Sequence, residues 1–225
     1  MPKAMILAAG RGQRMGSLTA VTPKPLLNVK GQTLLENKIL MLKSVGIDDI
    51  VINLAYLGEQ IQQFAGDGSR WQVNIQYSVE STPLETGGGI YRALPLLGDK
   101  PFIVINADIY CDYPLQELMN YSLSPSAQGC LVLVNNPAQH AEGDFGLQDN
   151  GAVINPAASN STFTFSGIGL YRPEMILSYP KRRDRFPLLE LLQFHIARQQ
   201  LYGIYYDGKW NDVGTPERLN VLNKE

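Results

Sequence analysis

A glycine loop carrying arginines, with a lysine soon after it, is the first group of residues that could do chemistry. The loop reads Ala8-Ala9-Gly10-Arg11-Gly12-Gln13-Arg14-Met15, and the lysine lies in Thr22-Pro23-Lys24-Pro25-Leu26. Glycines let successive backbone N–H groups face a phosphate, arginine offers a fork of donors, and lysine offers a mobile point charge. These residue types predict a cradle for a triphosphate.

Phosphate loops of two other classes fit this segment less well. A dinucleotide-binding loop has a third glycine where Met15 stands, and an acidic residue where Asn53 ends the second apolar segment. A Walker A loop needs Gly-Lys followed by Ser or Thr, and the sequence has no such tripeptide. Gly10 and Gly12 alone also fit a plain strand-to-loop connection with solvated arginines.

Two aspartates lie next to segments for which the sequence predicts secondary structure. Asp108 comes directly after the apolar segment Phe102–Asn106, where a metal ion could bind, since Mg2+ prefers carboxylate and phosphate oxygens. Asp212 begins Asp212-Val213-Gly214-Thr215-Pro216, which predicts a turn into a helix, with Thr215 as N-cap and Pro216 at the first helical position.

The elements that position these residues alternate along the first half of the chain. Apolar patterns predict strands at Ala4–Ala8, Ile50–Asn53, Asn74–Ser78 and Phe102–Asn106, and helices at Leu34–Val45, Gly58–Phe64 and Gly88–Leu96. Such alternation predicts a mostly parallel sheet covered by helices, with ligands at the carboxyl ends of the strands.

The second half is less regular. We predict strands at Gly129–Val134, Thr162–Tyr171 and Leu201–Tyr206, a helix at Phe186–Arg198 and a surface loop at Asn155–Ser161.

Composition narrows the class of protein. The chain has 225 residues, 44% of them hydrophobic, and a formal charge of -2. We expect a single domain over residues 1–225, and the small charge argues against binding to nucleic acid. The apolar N-terminal run is too short for a signal or a membrane span, so we expect no membrane binding and a cytoplasmic location. The isolated Cys111 and Cys130 predict reduced thiols.

The string LAAGRGQRMGSLTAVTPKPLL resembles the signature of the sugar-1-phosphate nucleotidyltransferase family, LAAGxGxRMxPLTxxxPKPLxxVxG, with Gly16-Ser17 as the visible departure. The resemblance implies a Rossmann-like, mostly parallel mixed sheet flanked by helices, of the nucleotide-diphospho-sugar transferase type and without a C-terminal β-helix. It also implies that Arg14 holds the β and γ phosphates and that Lys24 neutralises the α phosphate or the incoming phosphate. The remaining nucleotide contacts that it implies in this loop are Ala8, Ala9, Gly10, Arg11 and Gly12.

The C-terminal segment Trp210–Glu217 resembles the family motif W-x-D-V-G-T-P-E, and the segment ending at Asp108 resembles its G-D motif, with Ala107 in place of glycine. The resemblance makes Asp108 a catalytic residue and implies a Mg2+ ion held by Asp108 and Asp212. A sugar phosphate is already an anionic nucleophile, so the chemistry needs positioning and charge neutralisation and no side-chain base. His140 and His195 therefore need no catalytic role.

Two further regions resemble family segments that select the substrates. In the segment from Glu80 to Gly89, Glu80 would accept the N3–H of uracil or thymine, with Thr86, Gly87 and Gly88 beside it. A carboxylate also suits guanine, and a glycine hinge before a helix would give the same pattern. The residues implied at the sugar are Asn106, Asp144, Gly146, Ser166 and Gly167. These contacts divide the domain into a nucleotide-binding half of about residues 1–110 and a sugar-binding half of about 111–225.

Within the family, the chain looks most like the members that join UTP to N-acetylmuramic acid 1-phosphate in cell-wall sugar recycling. A cation for the acidic lactyl group of that sugar would be Arg183 or Arg185, although Lys181–Arg185 also fits a solvated charge run. Mannose-1-phosphate guanylyl transfer, glucose-1-phosphate thymidylyl transfer, or another nucleoside triphosphate as donor stay open. A regulatory subunit that binds nucleotide sugars is a non-enzymatic alternative, and a monomer is compatible with the sequence.

Overall fold

The computed structural model describes residues 2–224, so Met1 and Glu225 of the expected domain lie outside the described residues. The strands are β1 (Ala4–Leu7), β2 (Asn28–Val29), β3 (Gln32–Thr33), β4 (Asp49–Leu54), β5 (Asn74–Val79), β6 (Phe102–Asn106), β7 (Ile109–Cys111), β8 (Gly129–Val134), β9 (Phe145–Leu147), β10 (Val153–Ile154), β11 (Thr162–Tyr171), β12 (Leu201–Tyr206) and β13 (Trp210–Asp212). The helices are α1 (Leu18–Val21), α2 (Leu34–Ser44), α3 (Gly58–Ala65), α4 (Glu85–Leu97), α5 (Leu115–Met119), α6 (Pro173–Leu177), α7 (Leu188–Ile196) and α8 (Pro216–Lys224).

Two of these strand pairs, β2–β3 and β7–β13, stand apart, and the other nine strands form a mixed, mostly parallel sheet. Its order is β10-β9-β11-β6-β1-β4-β5, and β8 pairs with both β11 and β12. Strands β5, β4, β1 and β6 run parallel to one another, as β8 does to β12, while β11 is antiparallel to both β6 and β8. This arrangement confirms the predicted fold class.

Helices cover both faces of the sheet. Successive residues of a strand point to opposite faces. In β1, Ala4 and Ile6 accordingly join one core cluster with helices α2 and α3, while Met5 joins the other with α4, α6 and α7. Burial on both faces explains why the central strands read as continuous apolar runs.

Several predicted bounds agree with the structure residue for residue. Strands β6, β8, β11 and β12 begin and end where the sequence predicted. The predicted start of the last helix is also confirmed, because Thr215 Oγ1 accepts a hydrogen bond from the Arg218 amide at 3.4 Å. The predicted loop 155–161 is largely exposed and contains a short 3-10 turn.

Two helix starts differ from the prediction for local reasons. Helix α4 begins at Glu85 and therefore includes three glycines, which have low helix propensity and had suggested a start at Gly88. Helix α7 begins at Leu188 instead of Phe186. Phe186 precedes Pro187, and the ring of a proline disfavours helical geometry for the residue before it. No helix within residues 2–224 combines the length and apolarity needed to span a membrane.

Candidate active site

A cleft of about 750 Å3 opens at the carboxyl ends of β1, β4, β5 and β6. Ligand sites of open α/β sheets occur at this edge. The predicted site residues that line it are Ala8, Ala9, Gly10, Arg11, Gly12, Arg14, Lys24, Glu80, Thr86, Asn106 and Asp108.

An ion pair joins the two motifs of the first half. Lys24 lies on the 3-10 turn Lys24–Leu26 and is only 6% exposed, and its Nζ donates to Asp108 Oδ2 at 2.6 Å. Gly12 has a left-handed backbone with φ of 64° and packs against this lysine, where a Cβ would lie 3.2 Å from Lys24 Cβ. The glycine loop and the lysine therefore form one wall of the cleft.

The two aspartates meet through a strand pair that the sequence did not reveal. Strand β13 is antiparallel to β7 and pairs Asp212 with Ile109, and the Val213 amide donates to the Asp108 carbonyl at 2.9 Å. The backbones of Asp108 and Asp212 are thus neighbours although more than a hundred residues lie between them in the chain.

The Asp212 carboxylate lies next to the cleft and already has two partners. One oxygen accepts from Gln139 Nε2 at 3.1 Å, and the other pairs with Arg218. A Cβ at Gly214, which lines the cleft, would lie 3.0 Å from Asp212 Oδ2 and 3.4 Å from Arg14 Nη2. Asp212 and Arg14 therefore both lie against this glycine.

The donor set fits a divalent ion that shares its ligands with a substrate. Among residues 2–224 no group of three or more His, Cys, Asp and Glu side chains forms a metal cage. Mg2+ is usually held by one or two carboxylates together with phosphate oxygens and waters, so Asp108 and Asp212 supply what the protein must provide. Each carboxylate is paired with a cation here, Lys24 or Arg218.

A buried lysine that the sequence analysis missed lies close to this cluster. Lys38 on α2 is fully buried, and its Nζ donates to Asn37 Oδ1 at 2.9 Å. Burial lowers the pKa of Lys38 from 10.5 to about 8, while Cys111 and Asp108 act in the opposite direction. Its position among apolar residues, Leu34-Leu35 before it and Ile39 after it, was the available signal.

The predicted base-recognition residue belongs to a buried hydrogen-bond network. Glu80 Oε1 accepts from Asn53 Nδ2 at 2.7 Å, and Glu80 Oε2 accepts from the Leu84 amide at 3.1 Å. Asn53 Oδ1 in turn accepts from the Ala8 amide at 2.7 Å. Asn53 was recognised in the sequence only as an argument against a dinucleotide loop, yet it connects the glycine loop to Glu80.

Gly87 and Gly88 lie behind the cleft wall instead of lining it. Both are buried in the first turn of α4, and the Gly88 amide donates to the Phe186 carbonyl at 3.1 Å. A Cβ at Gly87 would lie 2.6 Å from the Phe186 ring, and one at Gly88 would overlap the Asp184 carbonyl oxygen. These glycines therefore permit segment 184–186 to pack closely against α4.

The predicted sugar residues separate into two groups. Gly167, with φ of 83°, lies against Asn106, since a Cβ there would be 2.7 Å from Asn106 Nδ2, and the Ser166 carbonyl accepts from Trp210 Nε1 at 2.9 Å. Asp144 instead accepts from the Phe165 amide at 2.8 Å and contacts His140 Nε2 at 3.0 Å.

Gly146 pairs with Thr162 in the β9–β11 ladder. Of the five predicted sugar residues, Asn106 is the one that lines the cleft.

Both arginines suggested for an acidic sugar have carboxylate partners. Arg183 makes two bonds to Glu190, at 2.8 and 2.9 Å, and Arg185 Nε donates to Glu85 Oε1 at 3.0 Å. Neither guanidinium lines the cleft, and the Arg185 side chain is 68% exposed. His195 is buried and bonds the Met175 carbonyl and Gln200, so its contacts are structural.

The sequence profile described as nucleotidyl transferase matches residues 3–225. An N-acetylmuramate alpha-1-phosphate uridylyltransferase of Neisseria meningitidis serogroup B is 44% identical over 220 residues, covering 96% of this chain and 95% of that protein.

More distant relatives share the fold or part of the length. A mannose-1-phosphate guanyltransferase of Hypocrea jecorina is 29% identical over 229 residues, and the match covers 96% of this chain but 61% of that protein. The crystal structure of a putative glucose-1-phosphate thymidylyltransferase from Bacillus anthracis superposes with a TM-score of 0.84 at 22% identity, covering 100% of this chain and 94% of that one. This last likeness bears on the fold alone.

Proposed function

Because the chain belongs to the nucleotidyl transferase family, we propose that it joins N-acetylmuramic acid 1-phosphate to UTP, giving UDP-N-acetylmuramic acid and pyrophosphate in cell-wall sugar recycling. The observation that carries this choice of substrates is the near full-length relationship to the Neisseria uridylyltransferase. A cytoplasmic location, where nucleoside triphosphates are available, belongs to the same proposal.

The reaction is a displacement at the α phosphorus of the triphosphate. An oxygen of the sugar phosphate forms a new P–O bond, the bond to the β phosphate breaks, and pyrophosphate leaves with the electron pair. Both reactants are anions, so cations that hold them close supply most of the catalysis. We assign Arg14 to the β and γ phosphates and Lys24 to the α phosphate, since both line the cleft.

Enzymes of this family generally use a divalent metal, and we propose Mg2+ held by Asp108 and Asp212. When bound, the ion neutralises phosphate charge. Until substrate phosphates arrive, Lys24 keeps the Asp108 carboxylate paired and Arg218 keeps the Asp212 carboxylate paired. Lys24 then turns its ammonium toward the phosphates, while Asp108 stays in place two residues beyond the end of β6.

The substrates divide between the two halves of the chain. In the nucleotide-binding half, about residues 1–110, Glu80 accepts a base N–H beside Thr86. In the sugar-binding half, about 111–225, Gly167, next to Ser166, packs against Asn106, which belongs to the first half and contacts the sugar from there. Asp144 acts there through its bond to the Phe165 amide, and Gly146 through its ladder with β11.

A second candidate function has one specific observation in its favour. The Glu80 carboxylate also suits the N1–H of guanine, as a guanylyltransferase would require. A mannose-1-phosphate guanyltransferase is among the relatives, but this chain spans 61% of its length.

Pyrophosphate release tests the proposal. UTP, dTTP, GTP, ATP and CTP are each combined with the 1-phosphates of N-acetylmuramic acid, N-acetylglucosamine, glucose and mannose in the presence of Mg2+. We expect turnover with UTP and the muramic sugar, and a loss of at least about a hundredfold in Asp108→Ala.

The matched control is Asp112→Ala, a nearby exposed aspartate outside the cleft lining, which should keep near wild-type turnover. Turnover confined to another pair would reject the substrates, and no turnover with any pair would reject the enzymatic function.

A further inference from the structure

The loops that follow β1 and β5 are joined through Asn53, near the end of β4, by one series of hydrogen bonds. It runs from the Ala8 amide to Asn53 Oδ1 at 2.7 Å, from Asn53 Nδ2 to Glu80 Oε1 at 2.7 Å, and from the Leu84 amide to Glu80 Oε2 at 3.1 Å. Asn53 is 3% exposed and Glu80 6% exposed, so water does not compete for the two buried bonds that Asn53 makes, while the bond from the Leu84 amide is partly buried. Both side chains nevertheless reach the cleft wall.

The two backbone amides at the ends of this hydrogen-bond series determine which group donates and which accepts in every bond. A backbone N–H can only donate, so the Ala8 amide requires the oxygen of the Asn53 side chain to face it. The NH2 group of Asn53 must then face Glu80, which accepts. The Leu84 amide likewise donates to the second Glu80 oxygen. Glu80 accepts on both oxygens, and the lone pairs that remain are acceptors as well.

The packing of α4 preserves this arrangement. A Cβ at Gly89 would lie 2.8 Å from Glu80 Oε1 and 3.0 Å from Asn53 Nδ2. The third glycine of the Gly87–Gly89 run therefore leaves space for the Asn53–Glu80 pair beside the helix. This role differs from those of Gly87 and Gly88, which accommodate segment 184–186.

We propose that Asn53 is a specificity-determining, positioning residue: by holding Glu80 as a hydrogen-bond acceptor in the cleft, it admits bases with a ring N–H and rejects those with a bare ring nitrogen. Uracil, thymine and guanine present such an N–H. N3 of cytosine and N1 of adenine instead carry a lone pair, which would face a lone pair of the Glu80 carboxylate. The inference rests on the proposed function, because it assumes that a nucleoside triphosphate binds with its base at Glu80.

The test compares UTP with CTP, which have the same size but opposite polarity at N3. In Asn53→Asp a second carboxylate replaces the donor beside Glu80, and two carboxylates so close cannot both stay ionised, so the pair shares a proton and Glu80 carries it for part of the time, when it is no longer an acceptor on both oxygens. We expect KM for UTP to rise more than kcat falls. The ratio of kcat/KM for UTP to that for CTP should fall by at least about tenfold, because an unpaired polar group in a binding site costs this much or more.

A second variant keeps the test decisive if the first does not fold. Asn53→Asp combined with Glu80→Gln restores one donor and one acceptor between the two side chains, yet presents an NH2 group toward the base. Its UTP:CTP ratio should also fall. The matched control is Asn106→Asp, the same substitution at the end of the adjacent strand β6, which should lower activity with both nucleotides and leave the ratio unchanged.

Each outcome separates the inference from the proposed function. If the wild type turns over and either folded Asn53 variant keeps the wild-type ratio, or if Asn106→Asp shifts the ratio equally, the role of Asn53 is rejected while the transferase function stands. Equal binding of CTP and UTP by the wild type, measured by calorimetry, also rejects it. Absence of wild-type turnover with every nucleotide rejects the proposed function instead.

Discussion

Replacing Lys38 by methionine tests how strongly burial of its charge destabilises the folded protein. Burial lowers the pKa of this lysine from 10.5 to about 8, although Cys111 and Asp108 nearby oppose the decrease. A tenfold change in proton affinity is worth about 1.4 kcal/mol. The charged ammonium is therefore less stable in the folded protein than in the unfolded chain by about 3 kcal/mol.

The pH dependence has a definite sign. Below about pH 8 Lys38 is charged in both states and the full cost is present. Between about pH 8 and 10.5 the unfolded chain keeps the proton that the folded protein has lost, so the wild type becomes more stable as the pH rises. Lys38→Met lacks this dependence. Its advantage in free energy of unfolding over the wild type should fall by about 3 kcal/mol from pH 7 to about pH 10.5.

Urea unfolding, followed by tryptophan fluorescence at several values of pH, measures this difference. The other titrating groups are common to both proteins, so the difference isolates Lys38. Lys43→Met is the matched control, because Lys43 lies on the same helix and pairs with Asp48 at the surface. A difference that stays constant over the pH range, or that changes equally for Lys43→Met, would refute the reasoning.

Two further predictions concern packing and thiol reactivity. Gly88→Ala places a methyl group on the Asp184 carbonyl oxygen, so we expect the free energy of unfolding to fall by about 1–3 kcal/mol, seen as a melting temperature lower by roughly 2–12 °C. Gly10→Ala is the control, because its Cβ would meet no atom within 4 Å, and it should have the melting temperature of the wild type. Equal melting temperatures for Gly88→Ala and Gly10→Ala would contradict the packing argument. Burial raises the pKa of the Cys130 thiol to about 12, and burial also raises the pKa of Cys111. Ellman's reagent at pH 8 should therefore label neither cysteine before denaturation and both after it, whereas rapid labelling of the folded protein would contradict their burial.

The order of elements could be predicted because it depends on local pattern. Strands such as Phe102–Asn106 and Gly129–Val134 are apolar along their length and flanked by turn residues, so their bounds were predicted correctly. The short strands β7 and β13 were not predicted. Each has only three residues, and each is a strand because the other lies beside it.

In the candidate site, too, some features could be predicted from the sequence and others could not. The glycine loop, Lys24 and Asp108 were recognisable from residue type and spacing, and the structure gathers them around one cleft. The partners of Arg183, Arg185 and Asp144 could not be predicted, because a long polar side chain pairs with whatever acceptor or donor the fold brings near it.

The sequence by itself therefore determined the kinds of chemistry, the family and the alternation that builds a parallel sheet. Only the tertiary structure decided which distant residues meet: Asp212 beside Asp108, Lys38 near Cys111 and Asp108, and Asn53 between Ala8 and Glu80. The physical reason is that secondary structure follows from neighbours along the chain. Contacts between strands and the burial of a polar side chain depend on how the whole sheet is ordered and packed.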